Sequence, residues 1–157
     1  MTKIQALVVS AAVAIGMAAP AVAAQSDPEV IIYRVPGVVD NNATSPGSAT
    51  VFHCTNFSGV TETIRFVTRN QIGTLLQNST LNIPHLTTMT AVTRPVINAY
   101  VNNLNLATGI LAQGTTAIAA TSINIICTAM TINASLAEPD GVALRAIRFN
   151  PVPGSQE

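Results

Sequence analysis

From residue 30 onward the chain is a succession of Val-, Ile- and Thr-rich runs cut at short intervals by Gly, Pro and Asn. β-Branched side chains lose rotamer freedom in a helix and pack well on a pleated surface, so this pattern constrains the fold to strands joined by turns. Val30 to Val35 reads as a first strand ended by Pro36-Gly37, and DNNATSPGS at 40–48 as a polar, mobile loop. Ala49 to Cys54 follows, with Phe52 and Cys54 on one face and Val51 and His53 on the other. Val60 to Arg69 alternates with Val60, Ile64 and Phe66 inward, though Glu62 and Val67 break the pattern. Asn70 to Gly73 reads as a hairpin turn into Thr74 to Ile83; Pro84-His85 interrupts, and Leu86 to Thr93 resumes.

The spacing of Val96, Ile97, Tyr100, Val101 and Leu104 predicts a short helix ended by Asn102, Asn103, Asn105 and Gly109. β character returns at Ile110 to Ala112, Thr115 to Thr121 and Ile123 to Asn133. Ile123 to Ile132 is the most continuously apolar run, expected as a central strand covered on both sides. A loop at 134–140 leads to a last strand from Val142 to Phe149. Roughly seven to nine short strands without alternating helices imply an all-β fold, a single antiparallel β-sandwich.

The N-terminus has a different character. Lys3 precedes an uncharged, Ala- and Val-rich stretch from Ala6 to about Ala19, then Pro20 and Ala21-Val22-Ala23-Ala24. A basic start, a short apolar core and a small-residue exit form a cleavable secretory signal peptide, residues 1–24, with cleavage before Ala24 (after Ala23) or before Gln25. The apolar run is shorter than the ~20 residues a spanning helix needs, so no membrane insertion is expected after the leader is removed. Its alanine-rich style suggests a bacterial source and the periplasm or cell exterior. The remainder divides into an N-terminal strand and polar loop, 25–48, and a sandwich body, 49–157, together one domain.

Export gives Cys54 and Cys127 an oxidising compartment, where a structural disulfide is the expected state. A reactive dithiol is usually a close C-x-x-C pair, and these two are far apart. In the chain-entropy treatment the bridge contributes roughly 4 kcal/mol. A bridge from an early to a late central strand resembles the way immunoglobulin-like sandwiches pin their two sheets, in a loose sense only, since the chain has no tryptophan to pack on it. VFHCTNFSG at 51–59, IICTAM at 125–130 and LRAIRFNPVPGSQE at the C-terminus also resemble a group of small uncharacterised exported bacterial proteins. That resemblance implies export and the disulfide; it implies no activity.

Chemistry-bearing residues are sparse. His53 lies in a strand beside Cys54 and His85 follows a proline; neither stands in a nucleophile or metal-ligand motif. Glu138 and Asp140 share a loop, and Asp40 precedes two asparagines; these read as solvated loop acids, not a facing carboxylate pair. The expectation is no catalytic residue, no cofactor and no metal. Few, balanced charges argue against nucleic acid as a partner. Phe57, in a turn, is the aromatic placed for exposure. Two classes of function remain: a non-enzymatic binding or adaptor module, contacting an unknown protein or small ligand through loops at one end, or a surface-fibre subunit. The second would self-associate by strand addition, with Val30 to Val35 as donor.

Overall fold

The computed structural model describes residues 29–41, 47–96, 100–136 and 140–148. The leader, its cleavage residues Ala23, Ala24 and Gln25, most of the polar loop, and Glu138 lie outside them. The described residues contain ten strands and no helix: β1 (Val30–Asp40), β2 (Ser48–Asn56), β3 (Glu62–Asn70), β4 (Leu75–Ile83), β5 (Thr88–Val92), β6 (Leu104–Asn105), β7 (Leu111–Ala120), β8 (Ile125–Asn133), β9 (Gly141–Leu144) and β10 (Ile147–Arg148).

All-β is therefore correct, but the sandwich of two separate sheets is not. The strands form one sheet, in the order β4-β3-β7-β1-β2-β5-β6, with β8 on the free side of β2, β9 on β8, and β10 on β1. Every pairing is antiparallel except β5 with β6. The sheet curls into a nearly closed barrel. Two features join its halves. At one end β1 meets β2 through Asp40↔Ala49. Elsewhere the segment from Gly141 to Arg148 pairs first with β8, at Ile132↔Gly141 to Ala129↔Leu144, and then with β1, at Arg34↔Ile147 and Tyr33↔Arg148. Across the remaining gap, Gln77 on β4 donates its side-chain amide to the Leu106 carbonyl just beyond β6, at 2.6 Å.

The core fills this barrel. Ile32, Val35 and Val38 of β1, Ile64 and Phe66 of β3, Ile118 of β7, and Phe52 of β2 are all buried. The Phe52 and Phe66 rings meet with centroids 5.6 Å apart, within the range in which tilted aromatic pairs add to area burial. A smaller cluster, Val51, Val92, Val96 and Ile132, packs on the outer face of β2 beneath Tyr100. The expected division of β2 faces is thus observed, with both faces covered.

Several local expectations change. β1 does not end at Pro36-Gly37: it runs on to Asp40, with register irregularities on either side of Val38. Gly37 sits there at φ +79°, and a bulge beside a proline spares the ladder the missing N–H. Along this length β1 pairs with β7, from Val30↔Ala120 to Asp40↔Leu111. Ile110 to Ala112 and Thr115 to Thr121 merge into β7, where Gly114 lets the backbone approach Arg69. The helix expected over 96–105 is absent from its described part. Asn103 Oδ1 accepts from the Thr90 N–H and Asn102 Nδ2 donates to the Val96 carbonyl, interactions that compete with helical bonding. β8 is covered on both sides only near its end; Ile126 is exposed.

The expected disulfide between Cys54 and Cys127 is formed, with a different role in the fold. Cys54 and Cys127 face each other directly on neighbouring strands β2 and β8, Cα atoms 4.1 Å apart. That spacing belongs to a non-hydrogen-bonded cross-strand pair. The bridge staples two adjacent strands and does not pin one sheet to another.

Candidate functional site

β2 ends at Asn56, and the geometry of one end of the barrel follows from that side chain. Asn56 is fully buried. Its Nδ2 donates to the carbonyls of Val60 (2.7 Å) and Ile83 (2.8 Å), and its Oδ1 accepts from the Ser58 N–H (2.8 Å). The last is an Asx turn, which bends the chain after the strand. Backbone bonds extend the hub: Asn56 N–H to Thr87 O, Leu86 N–H to Asn56 O, and Phe57 N–H to Asn124 O. His85 Nδ1 accepts from the Gly59 N–H at 3.0 Å. The connections β2–β3, β4–β5 and β7–β8 are thereby tied to one another.

These loops present four apolar side chains outward, beside the exposed polar Thr61, His85, Thr121 and Asn124. Phe57, Val60, Leu86 and Ile123 are 50%, 62%, 67% and 49% exposed. Residues 57–61, 84–87 and 121–124 contain no Asp, Glu, Lys or Arg. Leu86 holds φ at +56°, a left-handed conformation that costs a non-glycine residue on the order of 1 kcal/mol or more. The hub keeps it there, because the Leu86 N–H must reach Asn56. A set of apolar loop tips held by backbone hydrogen bonds results, suited to contact with another surface, with His85 as the one titratable side chain within the three loops.

The opposite end of the same strands is polar and buried. Where β1 leaves β7 to meet β2, the ladder loses the backbone groups of Val39, and Thr50 takes both: its Oγ1 accepts from the Val39 N–H and donates to the Val39 carbonyl. Thr93 donates to the same carbonyl and accepts from the Thr50 N–H. Beside them Asp40 is only 2% exposed. Thr108 donates to its Oδ2 at 3.1 Å, while Oδ1 has no hydrogen-bond partner among the described residues. Burial pushes the Asp40 carboxyl above its ordinary 3.8, against the opposing pull of the Thr108 hydrogen bond and the Arg94 charge. Asp40 lines a pocket of about 420 Å³ with Asn41, Ser48, Ile110, Leu111 and Thr131.

The residues singled out in the sequence are dispersed. His53 is half-buried on β2, with Nδ1 3.0 Å from Thr90 Oγ1 and its ring edge-on to Tyr100; burial lowers its pKa below 6.5. His85 lies in the loop-tip end, so the two histidines share no partner. Asp140 is exposed, and Asp40 is not the solvated loop acid expected of it. Phe57 is exposed as expected. Among the described residues no three His, Cys, Asp or Glu side chains gather where a metal ion could sit. Sequence reasoning placed Asn56 in a turn and Leu86 at the start of a strand, and gave neither a role; Leu86 instead stands in the turn before β5, which begins at Thr88.

No protein-family model matches the chain, and no curated protein matches it. Its structure is similar to the crystal structure of Thermotoga maritima 1070, with a TM-score of 0.50 and 10% sequence identity, over 80% of this chain and 97% of that one. At that identity the likeness concerns the fold alone.

Proposed function

We propose that this chain is an exported, non-enzymatic binding or adaptor module, working in the periplasm or outside the cell, whose contact surface is the loop-tip end built on Asn56. The observation that carries this reading is the convergence of Phe57, Val60, Leu86 and Ile123 on three loops locked to one buried hub. Exposed apolar side chains scattered singly are ordinary; several held together on loops tied to one buried hub, with Arg148 and Glu62 at their edge, mark an interaction site. Pre-organisation lowers the ordering cost on binding. The signal-like residues 1–24 and the Cys54–Cys127 bridge support export.

The test is site-specific photo-crosslinking in intact cells, with the photoreactive residue at position 57 or 86 and, as control, at Ile72, which is 80% exposed on the β3–β4 turn at the far end. A defined adduct from 57 and 86 but not from 72 supports the reading. Equal labelling from all three positions removes it.

The second reading is a fibre subunit assembled by strand addition. β1 is already paired with β7 of its own chain, and Ile32, Val35 and Val38 sit in the core, so donation of Val30 to Val35 would require that groove to be vacated first.

A further inference from the structure

We infer that the pocket at the β1–β2 corner is a binding site for a small, uncharged, polyhydroxylated molecule, a polyol or monosaccharide, with Asp40 as its recognition residue. The corner is built like a site. Asp40 is 2% exposed, one of its oxygens is fixed by Thr108, and the other has no donor among the described residues. A buried carboxylate oxygen without a donor is costly, and one donor from a ligand offsets that cost. Oδ1 is shielded from solvent in this structure, so recognition requires the carboxyl to turn about its last torsion, which is broad, within the pocket that Asp40 lines.

Charge and shape select the ligand class. An anion would meet the Asp40 carboxylate. A cation would meet Arg94, whose Nη1 donates to the Asn41 carbonyl at 2.9 Å beside the same corner. A neutral molecule meets neither. The acceptor-only carboxylate needs donors, whereas the Ser48 and Thr131 hydroxyls and the Asn41 amide both donate and accept. Hydroxyl groups satisfy both kinds of partner. Ile110 and Leu111 offer an aliphatic wall for the C–H face of such a molecule; Ile110 is 70% exposed and uncovered. A volume of about 420 Å³ lies within the range of small-molecule sites. This site stands at the opposite end of the strands from the loop tips and is independent of the function proposed for them.

The experiment is amide chemical-shift mapping of the mature, disulfide-bonded protein titrated with glucose and with xylitol, with acetate and butylamine as charged controls. The expected result is saturable shifts confined to Asp40, Asn41, Ser48, Ile110, Leu111 and Thr131, with neither control reproducing them. Asp40→Asn replaces an acceptor by a donor at constant shape and is expected to weaken binding about tenfold or more. Ile110→Ser changes an exposed side chain, leaves folding intact, and is expected to weaken binding several-fold. Absence of saturable shifts with both probes, shifts elsewhere on the surface, equal binding of a charged control, or unchanged affinity in Ile110→Ser would each overturn the proposal.

Discussion

Replacing Asn56 tests the hub from which the loop-tip end is built. Three side-chain hydrogen bonds converge on this one fully buried residue, two donated and one accepted. At about 1 kcal/mol net each, Asn56→Ala costs about 3 kcal/mol. That is a large fraction of the ~5–15 kcal/mol typical of a domain. Asn56→Asp keeps the shape and the Ser58 bond but turns a two-donor nitrogen into an oxygen facing the Val60 and Ile83 carbonyls. At neutral pH it is expected to be worse than the alanine variant by about 1–2 kcal/mol, because a buried charge is added to two lost donors. The introduced carboxyl has its folded-state pKa raised, so its penalty grows as pH rises through ~4 and shrinks below it. Urea denaturation of the two variants at pH 7 and pH 4 reads this directly: the aspartate variant is expected below the alanine variant at pH 7, with the gap closing or reversing at pH 4. An aspartate variant as stable as the alanine one at both pH values would refute the reasoning, since it would show that the Val60 and Ile83 carbonyls do not depend on donors from this side chain.

Other expectations are simpler. Removing the bridge as Cys54→Ala with Cys127→Ala frees a 73-residue separation in the unfolded chain and is expected to lower stability by about 4 kcal/mol, measured by denaturant unfolding beside the oxidised protein. The two perturbed groups give opposite pH dependences. His53 has a folded-state pKa below 6.5, so stability falls as pH drops through that value, and His53→Gln should flatten this limb. Asp40 has a folded-state pKa above 3.8, so stability contributed below 3.8 is lost as pH rises through the raised value, and Asp40→Asn should remove that loss. Gly114→Ala would place a methyl carbon 2.5 Å from the Arg69 carbonyl oxygen and 2.9 Å from Leu111, so β7 must shift; a loss of about 1–3 kcal/mol is expected by thermal unfolding.

Strand content was legible in the sequence because β-branched runs and alternation are local signals. The faces of β2, the turn at Asn70 to Gly73 and the exposed Phe57 could all be read that way. How the strands closed was not. The pairings Tyr33↔Arg148 and Cys54↔Cys127 join residues far apart in the chain, and alternation is silent about which edge meets which. In the described part of 96–105 the helix reading failed for a physical reason: apolar spacing fitted a helical face, while the Asn102 and Asn103 side chains bond the Val96 carbonyl and the Thr90 N–H. Asp40 was read as solvated because its neighbours Asn41 and Asn42 are polar; its burial depends on Thr108, on a distant segment. The disulfide partners could be named from composition and compartment, but their shared register could not.

Closure by the segment from Gly141 to Arg148 has a consequence for the order of events in folding. β1 is among the first strands of the body to be synthesised, yet its partners β7 and β10 begin at residues 111 and 147. A nascent chain therefore holds most of its earliest strand unpaired until β7 has emerged, and one edge of it open until residue 148. Assembly dominated by such distant pairings is slow, and the transient unpaired edges it leaves are aggregation-prone. The barrel is thus completed from its C-terminus, and a chain shortened before residue 141 would keep β1 and β8 as open edges.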